Sequence, residues 1–499
     1  MIDTNHISFH TMVDTLEKEG LLADFNCPKE LYDHPFTHLS YNSQDITDDT
    51  FFICKGAAFK EQYLVDALGK GARAYMAQSK YEAVDAPFIQ VTDIRKAMSL
   101  TSILFYGHAY ESMKVVGLTG TKGKTTTTYF MKNILDRACG KRTAVLSTVE
   151  VYTGEEDHDA HLTTPESPDL QRYFAQTRNS QIPYLTMEVS SQAYKMDRVY
   201  GMEFDVGMFL NIGEDHIGPL EHTDFEDYLS CKLQLMKHCK TAVINRNTEH
   251  FDRVYEAAKS HAQNIILFGT DDSCDYWVSD IKKEEVGFTF LIHGKDGSCK
   301  QYAITMAGRF NVENALAAYC AAKALGIEEQ FIEEGLVANS VRGRMNLFEK
   351  NGLTVIVDYA HNYLSFSKLY ESLKADYPGR RIVVVVGCPG GKAYIRRRDI
   401  GTLSGKYADM IYLTEEDPQF ENVTEICKDI ASYIEPFHTP YEIIEDRTAA
   451  VEKSILQAQP GDVIILAAKG EEVYQKVRGE YVDYESDLAI ARRCLNITD

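Results

Sequence analysis

A glycine-rich turn between an apolar run and a helical segment constrains this chain more than any other feature. Residues 117–130 read "GLTGTKGKTTTTYF" and follow the apolar run "MKVV". Backbone N–H groups at a helix N-terminus point at an anion, and glycines allow that anion to approach closely. The pattern predicts a phosphate-binding loop, although Leu118 stands where the standard motif has its first glycine. The predicted nucleotide contacts are Gly120, Thr121, Lys122, Gly123, Lys124, Thr125 and Thr126.

Length and charge restrict the class of protein. The 499 residues predict about three domains at ~150 residues each. A net charge of -22 disfavours nucleic acid and anionic membranes as partners, so an anionic substrate has to be bound by local Lys, Arg and N–H groups. The 11 cysteines form no C-x-x-C pair, which is typical of reduced thiols in a cytosol. Without an export signal or a long apolar run, we expect a cytoplasmic monomer that binds no membrane.

Short apolar runs alternate with helical segments over most of the chain. Between residues 114 and 339 these runs are "KVVGLTG", "PYLTMEV", "FDVGMFLNI" and "TAVIN", and after "SVRGRMN" they are "TVIVDYA", "RIVVVVGC", "MIYLTEE" and "DVIILAAKG". Alternation of this kind indicates parallel sheets covered by helices. We therefore predict an α/β protein with three domains, at residues 1–111, 112–340 and 341–499.

Three polar residues follow the strand-like runs of the central part. Glu188 ends "PYLTMEV", His216 follows "FDVGMFLNI", and Lys232 lies in the helical stretch "YLSCKLQLM". Each residue alone is typical of a structural or surface position. Because they occupy consecutive strand–helix units after a phosphate loop, together they indicate a site for two metal ions rather than one.

An ordered set of segments gives the chain a family resemblance. It comprises "GTKGKTT", "TTPES", "EVSS", "N…DH", a lysine, "GRFNVENALAA", "GRMN", "DYAHN" and "AAKGEE". This order resembles the ATP-dependent Mur ligases of cell-wall synthesis, in particular the branch that adds the third residue of the peptidoglycan stem peptide. The resemblance implies a uridine-nucleotide domain, a central ATPase domain and a Rossmann-like domain for the incoming amino acid. It also implies ATP and Mg²⁺ as cofactors, a UDP-N-acetylmuramoyl dipeptide and a free amino acid as substrates, and an acyl-phosphate intermediate.

The same resemblance implies roles for residues around the nucleotide. Thr125 and Glu188 match the first magnesium site, His216 the second, and Lys232 the carbamylated lysine of the family. Carbamylation turns a cation into an anion near the metal ions, and it requires a neutral amine. The remaining nucleotide contacts that the resemblance implies are Asn311, Asn314, Arg344 and Asp358.

On the uridine-nucleotide side the resemblance is less complete. The family's D-S-R is "NSQ" here, at residues 42–44, so only Ser43 is retained. A family glutamine is Met196 in this chain, which leaves Arg198 as the contact for the diphosphate or the sugar. The implied contacts are Ser43, Thr163, Thr164, Ser190 and Arg198.

The incoming amino acid would meet the strongest departures from the family. Members that add meso-diaminopimelate carry D-N-P-R, whose arginine pairs with the second carboxylate of that substrate; this chain has Glu416, Asp417, Pro418 and Gln419. A neutral glutamine cannot form the bidentate, charge-assisted contact of an arginine. Glu472 is retained, Glu471 replaces a histidine, and Lys392 stands where an arginine is expected. The acidic residues favour L-lysine or ornithine over diaminopimelate, and Lys392 is the predicted partner of the α-carboxylate.

Two other classes of protein remain open at this point. One is a related ligase of the folylpolyglutamate or poly-amino-acid type, which Ser43 and "TTPES" disfavour. The other is a nucleotide-binding regulator, kinase or switch, which the combined set of Lys124, Glu188, His216 and Lys232 disfavours. ADP release measured with and without each candidate substrate separates these classes.

Overall fold

The chain folds into three α/β regions, each built on one large sheet. The structure is a computed structural model, which describes residues 7–56, 59–218, 221–338 and 345–497. The first region contains a five-stranded sheet in the order β1-β5-β4-β3-β2, parallel except for β1. Its strands are β1 (Leu22–Asn26), β2 (His38–Ser40), β3 (Thr50–Ile53), β4 (Ala72–Ala77) and β5 (Phe88–Val91). Its helices are α1 (Phe9–Lys18), α2 (Lys29–Tyr32), α3 (Glu61–Lys70) and α4 (Ile94–Phe105), followed by a 3₁₀ turn at Ala109–Ser112.

The central region is built on an eleven-stranded sheet in the order β16-β15-β14-β13-β12-β11-β6-β10-β7-β8-β9. Its strands are β6 (Lys114–Thr119), β7 (Ala144–Leu146), β8 (Glu150–Tyr152), β9 (Asp157–Asp159), β10 (Tyr184–Glu188), β11 (Phe204–Phe209), β12 (Cys239–Asn245), β13 (Asn264–Gly269), β14 (Tyr276–Lys283), β15 (Phe288–Gly294) and β16 (Cys299–Ile304). Its helices are α5 (Lys124–Cys139), α6 (Ser167–Asn179), α7 (Ser191–Lys195), α8 (Phe225–Lys237), α9 (Phe251–Lys259), α10 (Asn311–Ala324) and α11 (Glu329–Val337).

The C-terminal region contains a six-stranded sheet in the order β17-β18-β22-β19-β20-β21, parallel except for β17, and a separate two-stranded hairpin. Its strands are β17 (Asn346–Lys350), β18 (Leu353–Asp358), β19 (Ile382–Val386), β20 (Met410–Leu413), β21 (Tyr441–Ile443), β22 (Val463–Ala467), and the hairpin strands β23 (Tyr474–Val477) and β24 (Glu480–Asp483). Its helices are α12 (Tyr363–Asp376), α13 (Ile395–Tyr407), α14 (Val423–Ile434), α15 (Arg447–Leu456) and α16 (Asp487–Leu495), with a 3₁₀ turn at Glu435–Phe437.

The position of β6 brings the predicted site together. This strand lies between β10 and β11, and both neighbours run parallel to it. Because parallel strands end at one edge of a sheet, the phosphate loop after β6, Glu188 at the end of β10 and the loop after β11 meet there. Ligands of open α/β sheets bind in such a crevice at the carboxyl ends of the strands. The α/β prediction is confirmed, and the apolar runs named above form buried strands of the two larger sheets.

The central sheet extends further than its parallel part. Strands β14, β15 and β16 pair antiparallel on one side, and β7, β8 and β9 do so on the other. Among the described residues, no helix combines the length and the apolarity needed to cross a membrane.

Candidate active site

Contacts within the protein hold the phosphate loop in its conformation. Gly123 adopts a left-handed φ of 84°, and a Cβ at this position would lie 2.4 Å from Asn314 Oδ1, so both the backbone angle and the packing require glycine. Asn211, in the loop after β11, fixes the phosphate loop: its Oδ1 accepts a hydrogen bond from Lys122 N at 2.9 Å, and its Nδ2 donates to Lys122 O at 3.0 Å. Lys124 begins α5 and donates from Nζ to Gly120 O at 2.9 Å.

Glu188 is fully buried at the end of β10, yet its carboxylate lines the site. Its two oxygens accept hydrogen bonds from the backbone N and the hydroxyl of Thr148, at 3.0 and 3.1 Å. Thr125 lies on the same cavity wall. Carboxylate and hydroxyl oxygens are the ligands that Mg²⁺ prefers, so this donor set fits a magnesium ion. Thr148, which orients the carboxylate, was not among the predicted residues.

Lys232 is buried as the family resemblance requires. It is 2% exposed, and its Nζ donates to Gly120 O at 2.9 Å. Burial, reinforced by the nearby charges of Lys124 and Lys122, lowers the pKa of Lys232 well below its usual value. The neutral amine that carbamylation consumes is therefore favoured here.

His216 faces the same edge of the sheet in a left-handed conformation, with φ of 55°. Its Nδ1 lies 2.8 Å from Glu221 Oε1, and both residues line the cavity. The Glu221 carboxylate beside Nδ1 fixes the orientation of the imidazole, as is usual for metal-binding histidines.

A single cavity of about 480 Å³ unites these groups with residues of the C-terminal region. The central region contributes the loop residues 121–126 and Glu188, and the C-terminal region contributes residues 358–361, Lys392 and Arg396. Of the predicted residues, those on its wall are Thr121, Lys122, Gly123, Lys124, Thr125, Thr126, Thr163, Glu188, Ser190, Arg198, His216, Lys232, Asn311, Asn314, Asp358 and Lys392.

The predicted adenine side is polar and internally bonded. Asn314 Nδ2 donates to Asn311 Oδ1 at 2.9 Å, and Asn311 Nδ2 donates to Ala307 O at 2.7 Å, so the two amides have fixed orientations. Asp358 accepts from the backbone N of Ala360 at 2.8 Å and of Met345 at 2.9 Å. Arg344, the remaining predicted contact, lies outside the described residues.

The predicted uridine-nucleotide contacts separate into two groups. Arg198 lines the cavity and donates to Glu166 Oε1 at 2.8 Å and to Thr164 O at 3.0 Å. Ser190 also lines the cavity, and its hydroxyl caps α7. Thr164 is buried, and its hydroxyl donates to Glu188 O at 2.9 Å. Ser43 is buried in the first region and is not on the cavity wall; its carbonyl accepts from Lys70 Nζ at 2.7 Å.

The segment predicted to recognise the amino acid lies beside the cavity rather than on its wall. Lys469, only 1% exposed, binds Asp417 Oδ1 at 3.0 Å and also Glu472. These two carboxylates are therefore not free charges, because they share one buried ammonium group, which offsets one of their two negative charges. Glu472 also accepts from the hydroxyl of Tyr359, which does line the cavity.

Glu416 and Gln419 differ in their surroundings. Glu416 is buried, and burial raises its pKa to about 7 against the opposing charges of Arg396 and Arg447. Pro418 is buried between Asp417 and Gln419. The backbone of Gln419 is bonded on both sides by the hairpin: its N donates to Lys476 O at 2.9 Å, and Arg478 N donates to its O at 2.8 Å.

A polar junction between the central and C-terminal regions was not predicted. Asp215, next to His216, is buried and accepts a hydrogen bond from Arg396 Nη2 at 3.0 Å and another from Asn362. Burial alone would raise the pKa of Asp215, but the charges of Lys122 and Arg396 hold it well below its usual range. Burial, together with Lys122 and Arg396, lowers the pKa of His361 well below its usual value, and its Nε2 lies 3.1 Å from Lys122 Nζ.

Comparison with known proteins identifies two family domains in the chain. Residues 118–322 match the Mur ligase middle domain, and residues 343–470 match the Mur ligase glutamate ligase domain. The chain is similar to two curated proteins named UDP-N-acetylmuramoyl-L-alanyl-D-glutamate–L-lysine ligase. The protein from Enterococcus faecalis is 39% identical over 98% of this chain and 99% of its own length, and that from Streptococcus pneumoniae serotype 2 is 40% identical over 98% and 100%.

A solved structure has the same fold at lower sequence similarity. It is that of a UDP-N-acetylmuramoyl-L-alanyl-D-glutamate–2,6-diaminopimelate ligase, with a TM-score of 0.67 and 24% identity, and the match covers 98% of this chain and 99% of the other.

Proposed function

Because this chain belongs to the Mur ligase family, we propose that it joins L-lysine to UDP-N-acetylmuramoyl-L-alanyl-D-glutamate in peptidoglycan synthesis. The chain is an ATP-dependent amide ligase. The proposed reaction releases ADP and phosphate and passes through an acyl phosphate on the substrate carboxylate.

One observation supports this proposal above the others: the phosphate loop, a buried acidic residue and cationic residues of the C-terminal region line one cavity. A carboxylate and a γ-phosphate repel each other, so a catalyst has to neutralise both before they react. Lys124 supplies positive charge at the loop, and Glu188 with Thr125 offers oxygen ligands for Mg²⁺. When bound, Mg²⁺ would stabilise charge on the phosphoryl and carboxylate oxygens.

The metal roles of His216 and Lys232 belong to the same proposal. Lys232 Nζ donates to Gly120 O at 2.9 Å, so a carbamate formed on this amine would place an anion beside the phosphate loop. Burial lowers the pKa of this amine, which favours the neutral form that carbamylation needs and supports the assignment. His216, oriented by Glu221, offers an imidazole nitrogen to the second ion.

Lysine recognition is assigned to the C-terminal region. Lys392 is exposed at the cavity wall, where it can pair with the α-carboxylate of the incoming amino acid. Gln419 leaves the distal carboxylate of diaminopimelate without the bidentate partner that an arginine provides. Glu416, Asp417, Pro418 and Glu472 would shape the end of this subsite, with Lys469 reducing its net negative charge.

Substrate-dependent ADP release tests the proposal. ADP is measured with ATP alone, with the UDP-muramoyl dipeptide, and with the dipeptide plus lysine, ornithine or meso-diaminopimelate. We expect turnover only with dipeptide and amino acid together, and the highest kcat/KM with lysine. Lys124→Met, which removes the loop cation, is the inactive control. ATP turnover that needs no second substrate, or a stable phosphorylated product, contradicts the assignment.

The division of the chain at residues 1–111, 112–340 and 341–499 is proposed with this function. Its support is that each of the three large sheets falls within one of these ranges. Uridine-nucleotide binding by the first region, with Ser43 as a contact, would follow the family pattern. A monomer in the cytoplasm is also proposed; sedimentation velocity and cell fractionation test these two statements.

A further inference from the structure

Asp215 lies where the central and C-terminal regions meet, and groups from both regions converge on it. Arg396 Nη2 donates to its Oδ1 at 3.0 Å, Asn362 Nδ2 donates to its Oδ2, and Lys122 Nζ is 3.8 Å from Oδ2. The carboxylate is 4% exposed. Two of its partners come from the C-terminal region and one from the phosphate loop.

The two C-terminal partners occupy the starts of helices. Asn362 is the N-cap of α12, where its Oδ1 accepts from Ser365 N at 3.1 Å while its Nδ2 reaches across to Asp215. Arg396 lies in the first turn of α13 and lines the cavity. Nε of Arg396 is buried without a hydrogen-bond partner in the described part of the chain, so the contact with Asp215 is the main support for this guanidinium.

The phosphate loop is linked to the same junction. Lys122 Nζ lies 3.1 Å from His361 Nε2, and the backbone of Lys122 is bonded on both sides by Asn211. A shift of the C-terminal region would therefore change the environment of the Lys122 side chain, while the Lys122 backbone stays fixed by Asn211. Asp215 is the buried carboxylate that connects the two.

We propose that Asp215 is a positioning residue, which docks the C-terminal region onto the phosphate loop through Arg396, Asn362 and Lys122 and so closes the cavity in which amide formation occurs. The inference rests on the proposed ligase function. It predicts that loss of this carboxylate exposes the acyl phosphate to water.

The physical reason lies in burial. Removing one partner of a buried, hydrogen-bonded charge pair leaves the other charge desolvated and unpaired, which weakens an interface by about 30-fold or more. Closing a site excludes water from reactive intermediates. An open junction would therefore slow amide formation and would also let water hydrolyse the acyl phosphate, so that ATP is consumed without forming an amide.

The test compares Asp215→Asn with a matched control on the same sheet. Asp205→Asn also removes a mostly buried carboxylate that pairs with two cations, Lys114 at 3.0 Å and Lys240 at 3.1 Å, but these contacts lie within the central region. Arg396→Gln removes the other side of the junction, and Arg396→Lys retains its charge. These two variants keep the test decisive if Asp215→Asn does not fold.

Two measurements separate a positioning role from a general loss of stability. The first is steady-state turnover with the ratio of ADP released to amide formed. We expect Asp215→Asn and Arg396→Gln to lower kcat by about 30-fold or more and to raise that ratio above one. Arg396→Lys should restore part of the activity, and the double variant should lose no more than the worse single variant. Asp205→Asn should keep the ratio of the parent.

The second measurement is the radius of gyration from small-angle X-ray scattering with a non-hydrolysable ATP analogue, which does not depend on the reaction. The parent and Asp205→Asn should reach the same compact radius, whereas Asp215→Asn and Arg396→Gln should stay larger. A parent-like radius and ADP ratio in the junction variants would overturn the inference. If the parent makes no amide but the junction variants still differ in radius, the function is wrong and the docking role stands.

Discussion

Replacing Lys232 by methionine separates the catalytic role of this residue from its structural role. Methionine keeps most of the length and volume of the side chain but cannot form a carbamate. The structural cost is small, because the lysine is already favoured as a neutral amine and, among the residues that the structure describes, makes one hydrogen bond, to Gly120 O. That carbonyl keeps a second donor, Lys124 Nζ at 2.9 Å. We therefore expect a loss of about 0.5–1.5 kcal/mol in the free energy of unfolding, the ordinary value of one hydrogen bond.

The catalytic cost should be much larger. Removing one preorganised group that stabilises charge in a transition state lowers kcat by about 10²–10³-fold. The assay is ADP release with dipeptide and lysine, run beside thermal unfolding of the same preparations. Short carboxylates such as formate or acetate should partly restore the rate of Lys232→Ala, because they replace the carbamate anion. Lys232→Arg should remain inactive, since it keeps a cation at this position but cannot be carbamylated.

Lys237→Met is the matched control, because Lys237 is exposed in the last turn of the same helix, α8. It should keep both the activity and the stability of the parent. A Lys232→Met or Lys232→Arg rate within about tenfold of the parent would refute the carbamate assignment. A large loss of stability in Lys232→Met would show that the residue acts in folding rather than in catalysis.

Three other substitutions test separate parts of the site. Gln419→Arg should shift the ratio of kcat/KM values from lysine toward meso-diaminopimelate by about tenfold to a hundredfold, since it restores a charge-assisted contact; an unchanged ratio would place specificity elsewhere. Glu416→Gln should stabilise the chain relative to the parent as pH rises, because a buried carboxyl whose pKa is raised to about 7 is ionised only at a cost in the folded state. Moving that pKa from 4.5 to about 7 corresponds to about 3 kcal/mol, so the parent should lose stability as pH rises from about 4.5 to about 7 while the variant does not; parallel pH profiles from denaturant melts would disprove the raised pKa. Glu188→Gln should raise the Mg²⁺ concentration for half-maximal rate and lower kcat by about a hundredfold, because an amide is a poor magnesium ligand; a Mg²⁺ titration that matches the parent would remove Glu188 from the metal site.

Sequence reasoning identified the residues that a local pattern marks. The phosphate loop has a signature of fixed spacing, and Glu188 and His216 follow apolar runs that end at one sheet edge. Contacts between distant segments have no such signature. Asp215 was passed over in favour of its neighbour His216, and its partners Arg396 and Asn362 lie more than a hundred residues away in the chain.

The cation that pairs with the amino-acid segment also had no signature in the sequence. Counting Asp417 and Glu472 as free carboxylates requires knowing that no cation lies between them, and Lys469 does lie there. The antiparallel strands β14–β16 were also absent from the predicted sheet, because half-exposed strands lack the continuous apolar runs of the parallel part.

The hairpin that holds position 419 has a consequence for how this enzyme can diversify. Main-chain groups of the hairpin, not side chains, bond the backbone of Gln419 on both sides, so a different residue there would leave these bonds unchanged. Its left-handed φ of 53° still restricts the choice, since β-branched residues tolerate this conformation poorly. A lineage can therefore exchange the charge of this side chain in one mutational step without rebuilding the neighbouring structure. Under the role proposed for position 419, such a step would also change the amino acid that enters the wall polymer.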